Sequence, residues 1–141
     1  MKKTFLFTFL ILLSTFSLAQ SPIGTWKTTD DKTGNDKSYV EIYEKDGALF
    51  GKIVKILTKG KENAKCEDCK GDKKNKPILG MAVLYNLKKD GKEWSGGNIF
   101  DPNSGKEYKA IIKLNGNDKL DVRGYIGLPI AGRTQTWTRV K

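Results

Sequence analysis

Short turn signals recur along this chain from residue 30 onward, and their spacing limits the fold more than any other feature. Most of them combine Asp or Asn with Gly, which is the pattern of tight hairpin turns. They fall at 30–34, 45–47, 88–91, 101–105 and 115–118. Because such frequent breakers leave mostly short segments between them, strands fit this spacing better than helices.

The segments between the turns are rich in β-branched and aromatic residues, and apolar and polar positions alternate along them. An alternation with a period of two indicates strands that are buried on one face. The predicted strands are 24–30, 38–44, 48–56, 79–87, 93–100, 106–114, 119–126 and 132–140. No segment carries a helical stripe, so we predict an all-β domain.

Eight consecutive antiparallel strands form either an open sandwich or a closed up-and-down barrel. Closure removes the strand edges that a meander otherwise exposes, and we therefore predict an eight-stranded up-and-down antiparallel barrel. The interior of such a barrel has room for side chains or for one small ligand. The alternation predicts these inward-facing residues: Val40, Ile42, Tyr108, Ala110, Ile112, Leu114, Leu120, Val122, Gly124 and Ile126.

The first residues have the pattern of an export signal. Lys2 and Lys3 precede the apolar run Phe5–Leu13, and the small-residue stretch Ser17–Ala19 offers a cleavage site before Gln20. We predict a signal peptide over 1–19 and a single domain over 20–141, located in the periplasm or secreted. The apolar run is short for a bilayer span, so no membrane span is expected after cleavage.

One long, charged segment, 57–78, interrupts the series of short turns and contains Cys66 and Cys69. An even number of cysteines in an exported chain favours a disulfide. A thioredoxin-like site needs a strand-to-helix junction, and a zinc site needs two further ligands. The polar surroundings fit neither, so we predict a structural disulfide that closes a small ring within a long loop.

Charge and composition narrow the partners and the chemistry. The formal net charge is +10, but the lysines are scattered and are not interleaved with aromatic residues, so no nucleic-acid partner is expected. The chain has no histidine, which removes the commonest general base and most metal sites. We predict no catalysis, no metal and no cofactor. The enzymatic alternative is a carboxylate-based hydrolase that uses two of the acids Asp30, Glu41, Asp101 and Asp121.

The last strand carries polar residues on its apolar face. If Trp137 faces the core, then Arg133, Gln135 and Arg139 point the same way. Inward-facing arginine and glutamine need partners, which are either internal acids or an anionic group on a ligand. The structural alternative is that these residues close the barrel rim by hydrogen bonding. On the preceding strand, Arg123 and Tyr125 lie opposite the apolar set, and together with Arg133 they suggest a second cluster on the outside or at the rim.

The opening Gly24-Thr25-Trp26, together with Arg139 on the last strand, resembles the calycin barrels. In those barrels the tryptophan of a Gly-x-Trp packs beneath an arginine and closes one end. The resemblance therefore implies a structural role for Trp26 and Arg139. A tryptophan–guanidinium stack is worth about 1–2 kcal/mol when partly desolvated.

Nearly the whole predicted domain also resembles the bacterial domain-of-unknown-function family 2147. The matching stretches are 24–26, 46–47, 51–53, 66–69, 77–80, 96–102, 123–127 and 132–137. The resemblance implies an exported protein of the Gram-negative envelope with a lipocalin-like barrel and a cavity for a small, partly apolar ligand. No catalytic residues come with this family.

Two functional hypotheses follow. The first is a non-enzymatic binder or carrier of a small hydrophobic or amphipathic molecule. Its predicted ligand-binding residues are Arg133, Gln135, Trp137, Tyr108, Arg123 and Tyr125. The alternative is an envelope interaction module that uses its basic surface and long loop on an anionic polymer or a protein partner.

Overall fold

The computed structural model describes residues 20–141, and the predicted signal peptide lies outside these residues. Eight strands and two short 3-10 turns make up the regular structure of this part of the chain. The strands are β1 (Gly24–Thr29), β2 (Asp36–Lys45), β3 (Ala48–Ile56), β4 (Ala82–Asp90), β5 (Glu93–Asp101), β6 (Lys106–Asn115), β7 (Lys119–Tyr125) and β8 (Arg133–Arg139). Among residues 20–141, no helix has both the length and the apolar character that a membrane span requires.

The strands form one closed sheet, in which each pairs antiparallel with the next and β8 returns to β1. The closing pairs join Trp26 to Arg139 and Lys27 to Thr138. The predicted eight-stranded up-and-down barrel is therefore confirmed, and so is its one long cysteine-containing loop. The prediction for β4 began too early, because Gly80 adopts a φ of 86° and the chain turns before Ala82.

The barrel interior is an apolar core to which every strand contributes. Its fully buried large side chains include Trp26, Ile42, Leu84, Leu87, Ile112 and Leu120. The alternation predicted the inward face correctly on β2, β6 and β7, with one exception. Ile126 is 71% exposed, because β7 ends at Tyr125 and the chain leaves the sheet there.

Alternate strands run in opposite directions, so the connections divide between the two ends of the barrel. The end that we call the closed end carries the turns 46–47, 91–92 and 116–118. The end that we call the open end carries the longer loops 30–35, 57–81, 102–105 and 126–132. The longer connections thus lie together at one end.

Trp26 and Arg139 pack together and cover the closed end of the barrel. The guanidinium carbon of Arg139 lies 4.3 Å from the ring centroid of Trp26, which is fully buried. Arg139 also donates to three backbone carbonyl oxygens: Asn117 at 2.7 Å, Ile23 at 3.2 Å and Ser21 at 3.0 Å. These bonds tie the N-terminal segment and the β6–β7 turn to the last strand.

The long loop at the open end folds against the barrel and has a small apolar cluster of its own. Cys66 and Cys69 form the predicted disulfide, and both are buried with Met81 and Phe100. The Nζ atom of Lys73 lies 3.8 Å from the ring centroid of Phe100. The loop therefore packs on β5 through the disulfide and through the ammonium group of Lys73, which makes a cation–π contact with Phe100.

Candidate ligand-binding cavity

A cavity of about 300 Å³ lies within the open end of the barrel. Its size falls at the lower limit of ordinary ligand pockets. The lining residues come from most of the strands: Thr28, Asp31, Lys37, Ser38, Val40, Ile53, Val83, Ile99, Phe100, Asp101, Pro102, Tyr108, Val122, Gly124, Arg133, Gln135 and Trp137. The interior is therefore not filled completely by its own side chains.

The lower part of the cavity is apolar. Val40, Val83 and Val122 line it together with Ile53 and Trp137, and all five side chains are buried. They face inward because the pleat of each strand turns its alternate residues toward the barrel axis. An apolar body placed here would lose contact with water without displacing a polar partner.

One wall carries a chain of hydrogen bonds, which we call the mouth network and which consists of Trp137, Gln135, Asp31 and Arg133. The Nε1 atom of Trp137 donates to Oε1 of Gln135 at 3.1 Å. The Nε2 atom of Gln135 donates to Oδ2 of Asp31 at 2.7 Å. The Nη2 atom of Arg133 lies 3.1 Å from the same carboxylate oxygen. The arginine and the amide thus converge on one anion.

Two hydroxyl groups form a second polar point on the cavity wall. The Oγ1 atom of Thr28 and the Oγ atom of Ser38 lie 2.7 Å apart, and both residues are buried. Across residues 20–141, every buried side-chain nitrogen and oxygen atom has a hydrogen-bond partner. The buried polar atoms of the cavity wall are therefore paired, and a ligand group that binds to one of them must exchange partners with it.

A second hollow of about 620 Å³ lies between the long loop and the barrel mouth. It shares Lys37, Ser38, Ile53 and Pro102 with the first cavity. Its further walls come from the loop itself, including Lys61 and Ile78. The long loop therefore borders the approach to the barrel interior.

Four of the six predicted ligand-binding residues line the cavity, namely Arg133, Gln135, Trp137 and Tyr108. The structure places Arg123 and Tyr125 outside it. Arg123 donates instead to the carbonyl oxygen of Pro129 at 2.8 Å and to Oγ1 of Thr134 at 2.7 Å. The geometry thus gives Arg123 a local role, which is to hold the β7–β8 loop against its strands.

Sequence reasoning missed Asp31, the acid that Arg133 and Gln135 share. Asp31 lies in a segment that reads as a turn, and it is 104 positions from Gln135 in the chain. An inward-facing arginine indicated that an acid or an anionic ligand was needed. Only the closed barrel shows that the β1–β2 loop supplies the acid.

The four acids of the hydrolase alternative have other roles in the structure. Asp101 accepts from the amide of Asn103 at 3.0 Å and from the hydroxyl of Ser104 at 2.8 Å, as expected for a turn residue. Backbone amides of Thr33 and Lys32 donate to Asp30 and lower its pKa below the usual 3.8. Glu41 pairs with Lys52, and Asp121 accepts from Thr136. No cluster of three or more potential metal ligands occurs in residues 20–141.

A closed barrel of eight antiparallel strands that is covered at one end and contains a cavity at the other is a lipocalin-like fold. The chain belongs to the bacterial domain-of-unknown-function family 2147, described as uncharacterized proteins conserved in bacteria, whose model matches residues 24–139. Its structure is similar to that of a Helicobacter pylori protein described as belonging to the lipocalin family, with a TM-score of 0.77 and 22% sequence identity. The alignment covers 86% of this chain and 84% of that one, and it shows a shared fold. No curated protein matches the chain.

Proposed function

We propose that this protein is a non-enzymatic carrier or sensor of a small hydrophobic or amphipathic molecule in the periplasm. The observation that supports this function is the cavity of about 300 Å³, which has an apolar floor and a polar wall. Ligand sites of this kind are mostly apolar, with a few polar groups that set the orientation. The lipocalin-like fold and the predicted signal peptide are consistent with the proposal.

The volume sets the size of the ligand. A space of about 300 Å³ holds roughly ten water-sized groups at about 30 Å³ each. A ligand body of roughly ten non-hydrogen atoms therefore fits inside the barrel. A longer ligand would have to continue into the hollow beneath the long loop.

The arrangement of the lining sets the orientation of the ligand. Its apolar body lies against Val40, Val122 and the indole of Trp137, and its polar head lies at the mouth beside Arg133 and Gln135. Tyr108 lines the same cavity on β6. Burial of the apolar body supplies most of the affinity, at about 25 cal/mol per Å² of apolar surface.

Native mass spectrometry of the mature protein, purified from the envelope of the bacterium that makes it, tests the proposal. We expect an additional mass on the order of one to three hundred daltons that is lost on denaturation. Val122→Phe fills the cavity and should abolish the additional mass. Ile111→Phe is the control: it introduces the same ring on the neighbouring strand β6, on the face that points away from the cavity, and should retain the additional mass. Ile99→Phe is a second filling variant, for use if Val122→Phe does not fold.

A bare chain mass, together with no uptake of small amphiphiles, would contradict the proposal and favour the basic surface as the functional feature. Binding to an anionic polymer would then be tested by charge reversal on the long loop. Lys59 and Lys61 are exposed and suit that test. Lys73 does not, because it packs over Phe100 and its reversal would disturb the fold of the loop.

A further inference from the structure

Asp31 holds its carboxylate at the cavity mouth, between the guanidinium of Arg133 and the amide of Gln135. One of its carboxylate oxygens accepts from Gln135 at 2.7 Å and lies 3.1 Å from Arg133. Arg133 and Gln135 thus supply two N–H donors to one oxygen, and a charged donor strengthens a hydrogen bond to a carboxylate. The cavity mouth therefore contains a complete carboxylate site, and the protein's own side chain fills it.

The loop that carries Asp31 holds its shape without that contact. Asp30 accepts from the amides of Lys32 and Thr33, and its carbonyl oxygen accepts from the amide of Gly34. The amide of Asp30 donates to the carbonyl oxygen of Asn35. Apart from Asp31, the hydrogen bonds of residues 30–35 given by the structure all close inside the loop. Asp31 can therefore leave the mouth while the turn stays folded.

The contact that Asp31 makes is weak enough to be exchanged. The side chain of Arg133 is 72% exposed and that of Asp31 is 30% exposed. Water screens an ion pair at such a position, so the pair contributes little to stability. Replacing one carboxylate with another also retains the hydrogen bonds from Gln135 and Arg133, so the exchange leaves no donor unpaired.

We propose that Asp31 is an internal substitute for the ligand, and that the ligand is a small monocarboxylate with an apolar tail. This inference rests on the proposed function. The ligand carboxylate displaces Asp31 from Arg133 and Gln135, and the tail enters the apolar floor beside Trp137. Asp31 thus competes with the ligand and lowers its affinity, so that the site stays closed by its own loop when the ligand is scarce.

The other charged residues of the cavity lining fit this assignment. Lys37 and Arg133 are its cations, and Asp31 and Asp101 are its anions. The oxygens of Asp101 are engaged by Asn103 and Ser104 within their own turn. Displacement of Asp31 therefore leaves two lining cations against one lining carboxylate, a balance that favours an anion over a neutral or cationic head.

The test compares octanoate with 1-octanol by isothermal titration calorimetry on the mature protein and on Asp31→Asn. Octanoate has a size that the cavity can hold, and octanol has the same tail without the charge. We expect Asp31→Asn to bind octanoate about fivefold more tightly than the unaltered protein, the equivalent of about 1 kcal/mol. Octanol affinity should stay unchanged. Asp36→Asn removes the same charge from a residue that pairs with Lys27, and it should change neither affinity.

The outcomes separate the two proposals. If neither compound binds the unaltered protein or Asp31→Asn, the proposed function is contradicted. If octanoate binds both proteins equally, the carrier proposal stands and the role of Asp31 is wrong. An equal gain for octanol would also overturn the inference, because it would show that the variant only widens the mouth.

Discussion

Two arginines on β8 face the barrel interior from its opposite ends, and they differ in the groups that accept their hydrogen bonds. Arg139 stacks on the buried ring of Trp26 and donates to three backbone carbonyl oxygens. Arg133 pairs with a single carboxylate on a loop and is largely exposed. Both positions follow from the same alternation along one strand.

Arg139 and Arg133 bond to different kinds of acceptor. Backbone carbonyl oxygens belong to the barrel and its terminal segment, so the bonds of Arg139 break only when that end unfolds. The partner of Arg133 is a side chain on the β1–β2 loop, and we propose that a ligand carboxylate replaces it. An inward-facing arginine is therefore fixed when backbone carbonyl oxygens accept its hydrogen bonds, and exchangeable when its acceptor is a side chain on a loop.

The largest effect is expected at the closed end. Arg139→Ala removes three charge-assisted hydrogen bonds and a stacking contact, and should lower the free energy of unfolding by about 3 kcal/mol. Urea denaturation followed by tryptophan fluorescence measures the change. Arg139→Lys keeps the charge without the planar fork and should recover less than half of the loss. If Arg139→Ala lowered the free energy of unfolding by less than about 1 kcal/mol, as expected for an exposed pair, the structural role of Arg139 would be contradicted.

The next effect concerns the long loop of the open end. Cys66→Ala with Cys69→Ala opens a ring of short sequence separation and should cost the loop about 2 kcal/mol in the chain-entropy picture. The amides of Cys66 and Asn75 donate within the loop, so their hydrogen exchange should accelerate roughly thirtyfold. Amides of β6 and β7 are the control and should keep their protection. Equal acceleration throughout the barrel would show that the loop is not a separate unit.

A smaller effect on stability is expected for Arg133. Arg133→Ala breaks an exposed pair and should lower the free energy of unfolding by less than about 1 kcal/mol. Its affinity for octanoate should fall while its affinity for 1-octanol stays the same. The same urea and calorimetric titrations check both results. A loss of stability comparable to that of Arg139→Ala would make Arg133 a structural residue.

The smallest effect is in the β1–β2 loop. The amides of Thr33 and Lys32 stabilise the ionised carboxylate of Asp30 and lower its pKa below 3.8. Asp30 therefore stabilises the loop above pH 3.8, and this contribution disappears as the pH falls through the lowered pKa. A carbon-detected NMR titration of the carboxyl group measures it, and Asp30→Asn should remove the pH dependence. A pKa of 3.8 or higher would contradict the geometry of this turn.

The barrel was predictable because its signals are local. Hairpin turns and a period of two lie within short segments, and they predicted the strands to within a few residues. Ile126 was assigned wrongly, since alternation does not say where a strand ends. The exposed turn that begins at Ile126 contains Gly127 at a φ of 77°, which marks the departure from the sheet only in retrospect.

The candidate site was predictable only in part. The strict alternation of β8 indicated that Arg133, Gln135 and Trp137 share a face, and all three line the cavity. Asp31 was missed because its partners lie on the last strand, and only barrel closure brings the two together. The resemblance to the family implied a cavity, but its volume and lining could not be predicted from the sequence, since they depend on how all eight inner faces pack at once.

The central claim is that the open end of the barrel exchanges partners with a ligand while the closed end stays fixed. An NMR titration of the mature protein with octanoate tests both ends in one sample through their side-chain N–H signals. We expect the Arg133 guanidinium, the Gln135 amide and the Trp137 indole signals to shift with a common affinity, while those of Arg139 and Trp26 stay in place. Shifts of equal size at both ends, or none at Arg133 and Trp137, would contradict the account.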